Sequence, residues 1–266
     1  VSALFAFKLE KAGYTDASAL VSMVFLVIMV TVIIQSITSK ALAHMLDVNE
    51  ADSNGYIFIG ANSVARALAK ALVAKNIKVI LSDTSWENIR AARMENLSVY
   101  YGNPVSEHAE NNLDLTNIGN MLAISPYKQL NTLSTYHYLD LFGAGNVLGL
   151  PEGDQAHRAS HQSSEKYVQT RNKFDEKATF AKLASLMSKG ASIKITQLSQ
   201  EFSFEDYLKQ HGSRLNLLFA LQPDKKLVPL GQNDKVMPQV GWEIISLIQP
   251  APEPTESNKE TAEVTA

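Results

Sequence analysis

Polarity along this chain changes in blocks, and the first block is apolar all round. Ala17–Ser39 carries no charged residue, and its centre, Met23-Val24-Phe25-Leu26-Val27-Ile28-Met29-Val30, is apolar whichever way a helix is turned. At 1.5 Å per residue such a helix is about 35 Å long, against the roughly 30 Å hydrocarbon layer of a bilayer. A helix buried in a water-soluble domain ordinarily keeps one polar stripe. The pattern therefore predicts a transmembrane helix with the lipid bilayer as partner, the alternative being a long core helix. Ser22, Thr31 and Ser36 are tolerable because a hydroxyl can bond a carbonyl of its own helix. Val1–Leu9 is apolar too, but too short to span. It reads as the end of a preceding helix, with Lys8–Asp16 as a polar hairpin. Position 1 is Val and no cationic segment precedes the apolar run, so the start is expected to be a truncation or internal boundary rather than a signal peptide.

Beyond a polar spacer the period changes to short apolar runs alternating with helical ones. Strands are predicted at Gly55–Ile59, Lys78–Ser82, Leu97–Tyr101, Asn120–Ser125 and Asn146–Leu150. Helices are predicted between them at Arg66–Lys75, Trp86–Glu95, Glu107–Leu115 and Lys128–Phe142. Strands separated by helices at this interval imply a doubly wound parallel sheet. Glu152–Ser164 has almost no apolar residue and reads as a solvated linker. From Thr179 a smaller module follows, with a helix at Phe180–Lys189, strands at Ser192–Leu198, Leu215–Leu221, Lys226–Pro229 and Trp242–Ile248, and a helical stretch at Glu205–Gln210. Pro238–Gly241 forms a turn into the last strand. The expected class is α/β: a transmembrane helix, a Rossmann-like doubly wound parallel sheet, and a small β-rich C-terminal module. Its parts are 1–48, the end of a membrane domain; 55–151, the sheet domain; 152–178, a polar linker; 179–249, the module; and 250–266, a polar, disordered tail.

Composition narrows this little. The 266 residues are 45% hydrophobic and 19% charged with a net charge of −3, so no basic field exists to attract nucleic acid. Cysteine is absent, which excludes disulfides and thiolate metal sites. His157 and His161 are four apart with Asp154 and Glu165 near, but no apolar framework adjoins them, so solvated surface is the expectation rather than a metal site.

Candidate chemistry lies at the first strand–helix junction. The first strand ends in Gly60-Ala61-Asn62-Ser63-Val64-Ala65, where Gly60 allows a tight turn and the following helix presents its first N–H groups to a phosphate. Asp83 ends the second strand, near the roughly 20-residue interval of a ribose-binding carboxylate, where it could accept from both ribose hydroxyls. The glycine fingerprint reads Gly60, Asn62, Ala65. Ala65 suits the third position, but Asn62 replaces the glycine at which the backbone approaches the pyrophosphate, and its side chain would fill that space. The turn is therefore a nucleotide site either occupied or vestigial. The candidate contacts are Gly60, Asn62, Ser63, Ala65 and Asp83, with Gly102 and Asn103 lining the cleft. His108 and His137, the histidines of the sheet domain, read as packing or surface residues. No nucleophile elbow, P-loop or zinc motif occurs, so binding rather than catalysis is expected.

The block from Gly55 to Leu150, with its glycine turn, Asp83 and the Gly102-Asn103-Pro104 strand end, resembles the TrkA-N (RCK) domains. Those domains regulate potassium channels, Trk uptake systems and cation antiporters. Val1–Ala6, Val24–Val32 and Ala41–Ala43 resemble the last membrane helices of NhaP-type monovalent cation:proton antiporters, and 179–249 resembles a TrkA-C-like module. The resemblance implies the C-terminal part of a sodium or potassium/proton antiporter, multi-pass in the inner membrane, with the chain after residue 48 cytoplasmic. Its partners would be the upstream transport domain of the same protein, a second copy forming a homodimer, and the transported monovalent cations and protons, whose ligands lie upstream. It further implies NAD(H) or an adenine nucleotide as the sensed ligand. Alternatives are the regulatory part of a potassium channel or Trk-type uptake system, and a membrane-anchored NAD-dependent oxidoreductase.

Overall fold

Ala17–Met45 forms one continuous helix, α1, in the computed structural model of the chain, which describes residues 7–9, 11–13, 17–45, 53–151, 170, 173–175, 178–231 and 237–250. Within α1, Ser22–Ser39 is long and apolar enough to cross a membrane, with a mean hydropathy of 2.1, and none of it is buried. The hydroxyls of Thr31 and Thr38 donate to the Ile28 and Ile34 carbonyls, so these polar groups are satisfied inside the helix. The helix continues past the expected end at Ser39 as far as Met45. The chain divides into two compact units, Val1–Asp52 and Ser53–Ala266.

The second unit begins with β1 (Gly55–Ile59), followed by α2 (Ser63–Val73), β2 (Val79–Asp83), α3 (Trp86–Met94), β3 (Ser98–Tyr101), α4 (Glu107–Asn112), β4 (Ile118–Ala123), α5 (Lys128–Phe142) and β5 (Val147–Gly149). The five strands pair in parallel in the order β3-β2-β1-β4-β5. Every residue of β1 is buried, because helices cover both sheet faces. Successive side chains of a strand point to opposite faces. Tyr56 and Phe58 accordingly join Leu68 and Leu72 of α2 in one core, while Ile57 and Ile59 join Met121 and Tyr138 in the other. Burial pushes the phenol pKa values of Tyr56 and Tyr138 up.

Local chemistry moves several element boundaries. The second helix starts at Ser63 rather than Arg66, because the Asn62 side chain accepts from the Ala65 N–H and caps it. The fourth helix stops at Asn112 instead of Leu115, where Asp114 accepts from the Thr116 N–H in a turn. The fourth strand is Ile118–Ala123, which places Ser125 in the following loop rather than in the strand. The turns that follow α2 and α3 close through Asn76 and Asn96 with φ of 59° and 56°, a left-handed conformation in which Asn stands in for Gly.

The remaining elements are α6 (Phe180–Ser188), β6 (Ser192–Gln197), α7 (Phe204–His211), β7 (Leu215–Leu221), β8 (Leu227–Pro229) and β9 (Glu243–Ile248). Their sheet is antiparallel in the order β6-β9-β7-β8. The last strand therefore enters the middle of its sheet and is buried on both faces. Ile245 and Leu247 join the core shared with α2, whereas Ile244 and Ile248 pack with Tyr207 of α7. The Tyr207 hydroxyl bonds the Ser246 hydroxyl in that second layer. An ion pair of 2.8 Å joins Lys75, just past α2, to Glu243 of β9. The two sheets thus share one hydrophobic core.

Segment 152–178, expected as a solvated linker, lies mostly outside the described residues, as do Asp154, His157, His161, Glu165 and the tail after residue 250. Its described residues Thr170, Phe174 and Ala178 are buried, and the Phe174 ring stands edge-on to Phe219 at 5.2 Å. That end of the segment belongs to the core, its apolar residues having been masked by polar neighbours.

One pH effect follows from α7. The Nδ1 atom of His211 is buried without a hydrogen-bond partner among the described residues, and this burial, with Arg214 and Lys194 nearby, holds the imidazole pKa below 6.5. A depressed folded-state pKa means the unfolded chain takes up the proton first, so stability declines as pH falls through 6.5 and levels off below the folded value. Denaturant titrations between pH 8 and 5 should show that decline, and H211Q should flatten it.

Candidate functional site

In an open parallel sheet the binding crevice lies where strand order reverses, here outside the carboxyl ends of β1 and β4. The chain leaves β1 through Gly60, whose φ of +117° is a conformation L side chains rarely adopt. Space as well as torsion requires glycine there. A Cβ at position 60 would stand 3.0 and 3.1 Å from the Ser125 Cα and N, and 3.2 Å from the Asn62 Nδ2. The β1 and β4 ends are therefore in near contact across the switch point.

Asn62 closes the turn. Its Oδ1 accepts from the Ala65 N–H at 3.0 Å, and its Nδ2 donates to the Ile124 carbonyl at 2.8 Å. One of the helix N–H groups a phosphate would use is thereby taken, and the side chain lies across the turn. The N–H groups of Ser63 and Val64 have no partner among the described residues. Ser63 is exposed at the helix start, while Ala65 is fully buried in the helix–sheet contact.

Asp83 is 4% exposed and fastens three segments together. Its carboxylate accepts from the Ala61 N–H at 2.8 Å, the Ser85 N–H at 2.8 Å and the Asn88 Nδ2 at 2.9 Å. An ionised carboxylate offers about four acceptor positions, so about one is left. That is room for a single ribose hydroxyl rather than the pair expected from spacing. Arg66 backs the turn from below, donating from Nη1 to the Ala61 carbonyl at 2.8 Å and pairing through Nε with Glu95 at 3.2 Å. Lys70 shares the same Glu95 carboxylate at 3.3 Å.

Gly102 reaches the group through its N–H, which donates to the Asp83 carbonyl at 3.0 Å, and its own φ is +144°. Asn103 does not join them. Its side chain accepts from the Val105 N–H and its carbonyl accepts from Ser106, so it builds the entry to α4. His108 bonds the Tyr100 hydroxyl through Nδ1 at 2.8 Å, and His137 packs edge-on to Tyr138. The structure thus gathers Gly60, Asn62, Ala65, Asp83 and Gly102 around one turn. Pattern reading missed Ser85, Asn88, Ile124 and Ser125, which act through backbone groups or short side chains with no fixed spacing from the glycine.

Beside the turn, at the ends of β4 and β5, lies a pocket of about 200 Å³ lined by Ser125, Lys128, Asn131, Leu150, Thr179 and Ala181, among others. The first residues of α6 thus form one of its walls.

Comparison with known proteins places a family on this geometry. Residues 56–162 match the family model described as the TrkA-N domain, so this stretch of the chain is a TrkA-N domain. No curated protein matches the chain. Among solved structures, the NAD(P)-binding domain of an exopolyphosphatase-related protein from Archaeoglobus fulgidus is similar, with 21% identity and a TM-score of 0.34 over 44% of this chain and 83% of that one. The GsuK RCK domain shows 16% identity and a TM-score of 0.33, covering 81% of this chain and 47% of that one. The GsuK channel bound to NAD shows 14% identity and a TM-score of 0.35, covering 81% of this chain and 39% of that one. The chain therefore spans less than half the length of these two GsuK chains.

Proposed function

We propose that this chain, through its TrkA-N domain, is the nucleotide-sensing regulatory end of a membrane transporter for monovalent cations. The observation that carries the reading is the turn at Gly60–Asn62, where a helix N-terminus, a buried carboxylate and the switch point of a parallel sheet meet. The ligand is an adenine nucleotide, NAD(H) among the candidates, with its phosphate at the Ser63 and Val64 N–H groups and one ribose hydroxyl on Asp83. Helix α1 is the membrane anchor and the last spanning segment of the transport domain. The domain that follows is cytoplasmic and works as a homodimer. The role is binding rather than catalysis, because the polar groups around the turn fasten the chain and no acid–base pair stands among them.

The transporter is read as a sodium or potassium/proton antiporter of the NhaP type. A TrkA-N domain is equally at home in a potassium channel or Trk-type uptake system. Intramembrane aspartate pairs upstream would mark the antiporter, and a carbonyl-lined selectivity filter the channel. In any of these, a nucleotide regulates only by its differential affinity for two transporter states, tenfold being worth about 1.4 kcal/mol.

Asn62 supplies the test. Binding has to displace its hydrogen bond to Ile124, a net contribution of about 0.5–1.5 kcal/mol, so N62G should bind AMP or NADH about two- to tenfold more tightly. Ligand-induced shifts in melting temperature of the full chain in detergent would read this. A variant and parent both unmoved by millimolar nucleotide would sink the proposal.

A further inference from the structure

A larger cavity, of about 560 Å³, lies in the C-terminal module and shares no lining residue with the turn at Gly60–Asn62. Its size falls within the roughly 300–1,000 Å³ range of drug-sized ligands. The cavity adjoins a stretch where the second sheet is incomplete. Strand β7 pairs with β9 from Leu215 to Leu221, but β8 pairs only with Phe219–Leu221. Leu215–Leu217 therefore have no strand on their β8 side among the described residues, and all three line the cavity. Alternate residues of an antiparallel strand turn their N–H and C=O groups to opposite flanks. An extended peptide group laid along the open flank meets strand backbone that has no ladder partner, as in strand addition to a sheet edge.

The side chains around this flank are of three kinds. Leu208, Leu217 and Leu230 form an apolar wall, and Leu208 of α7 is still 38% exposed. Asn216 and Gln249 contribute amides whose side chains make no hydrogen bond among the described residues. Lys182 of α6 and Asp175 bring one positive and one negative charge to the same cavity. Lys182 nevertheless forms no ion pair among the described residues. An ionised carboxylate has about four acceptor positions, so Asp175 can take an ammonium besides any bond of its own. Opposite charges that share a cavity without pairing, beside uncommitted amides and an apolar wall, complement a dipolar ligand with an apolar body. A nucleotide suits the cavity less, because its phosphates would meet Asp175 as well as Lys182.

We propose that this cavity is a ligand site distinct from the nucleotide turn, and that it takes a short apolar peptide with free ends. The peptide's carboxylate pairs with Lys182 and its ammonium with Asp175. Its amide lies along Leu215–Leu217, and its side chains pack on the leucines.

Calorimetric titration of L-leucyl-L-leucine into the full chain in detergent tests this, beside the N-acetyl and C-terminal amide forms of the same dipeptide. The free dipeptide should bind saturably, and each capped form about tenfold more weakly, having lost one charged contact. K182Q should lower affinity for the free dipeptide about tenfold and bind the C-terminal amide as the parent does. That pairing of effects assigns the carboxylate to Lys182, and a general loosening of the module would not produce it. Ser213 is an exposed residue of the cavity lining, so S213F should block every form of the dipeptide. It keeps the test decisive if K182Q fails to fold. Equal binding of the free dipeptide and either capped form by the parent would overturn the site. So would undiminished affinity in K182Q or S213F, or no heat at millimolar dipeptide from a chain whose fluorescence melt shows it folded. None of these results bears on nucleotide sensing at Gly60–Asn62.

Discussion

Replacing Asp83 with Ala is expected to cost about 3–5 kcal/mol of folding stability and to abolish nucleotide binding. The side chain is 4% exposed, and its loss leaves the N–H groups of Ala61 and Ser85 and the Asn88 amide without their acceptor. An orphaned buried donor costs about 1–3 kcal/mol, and partial hydration of the Ser85 and Asn88 groups holds the total below the simple sum. Asp83→Asn separates charge from shape. It keeps one accepting oxygen but turns an NH2 toward existing donors, and should fall between parent and D83A. Denaturant titration of the full chain in detergent, followed by the fluorescence of Trp86 and Trp242, would report both layers of the second unit, since one tryptophan adjoins each sheet. A D83A variant within about 1 kcal/mol of the parent would show that the carboxylate does not fasten the turn.

Gly60→Ala should be nearly as damaging, at about 2–3 kcal/mol, for a different reason. The φ of +117° is strained for any L side chain, and the added methyl would meet the Ser125 backbone at 3.0–3.1 Å. Backbone at the end of β4 cannot swing aside as a flexible side chain would, so the two strand ends must part. The crevice then widens at the point where phosphate is proposed to sit. G60A is accordingly expected to lose nucleotide affinity more than G143A, a glycine with φ of +79° and nothing near its added Cβ. Comparing their melting curves and AMP titrations separates torsional strain, common to both, from the close contact unique to Gly60.

The elements of the second unit were legible because each is locally self-consistent. Gly55–Ile59 is a β-branched and aromatic run with no polar interruption, and it is buried along its whole length. What escaped the pattern was decided by contacts distant in sequence. Asp83 was legible from its interval to Gly60, but its occupation by Ala61, Ser85 and Asn88 was not, because two of those donors are backbone groups that any residue carries. Asn62 was legible as an obstacle to phosphate, whereas its bond to Ile124 depends on β4 lying beside β1. Asn131 gave no signal at all. A lone Asn within the helix Lys128–Phe142 looks like a surface residue until the fold buries it against the Ser125 carbonyl. Phe174 was overlooked for the converse reason, being an apolar residue in a polar stretch that the second sheet draws into the core.

Calorimetric titration of the parent chain with AMP, ATP and NADH at constant salt bears most directly on whether the turn at Gly60–Asn62 senses a nucleotide. The account predicts saturable binding of NADH with one site per chain, displaced competitively by AMP because both place a ribose on Asp83. Titrations showing no heat for any of the three nucleotides, in a chain whose fluorescence melt shows it folded, would contradict it.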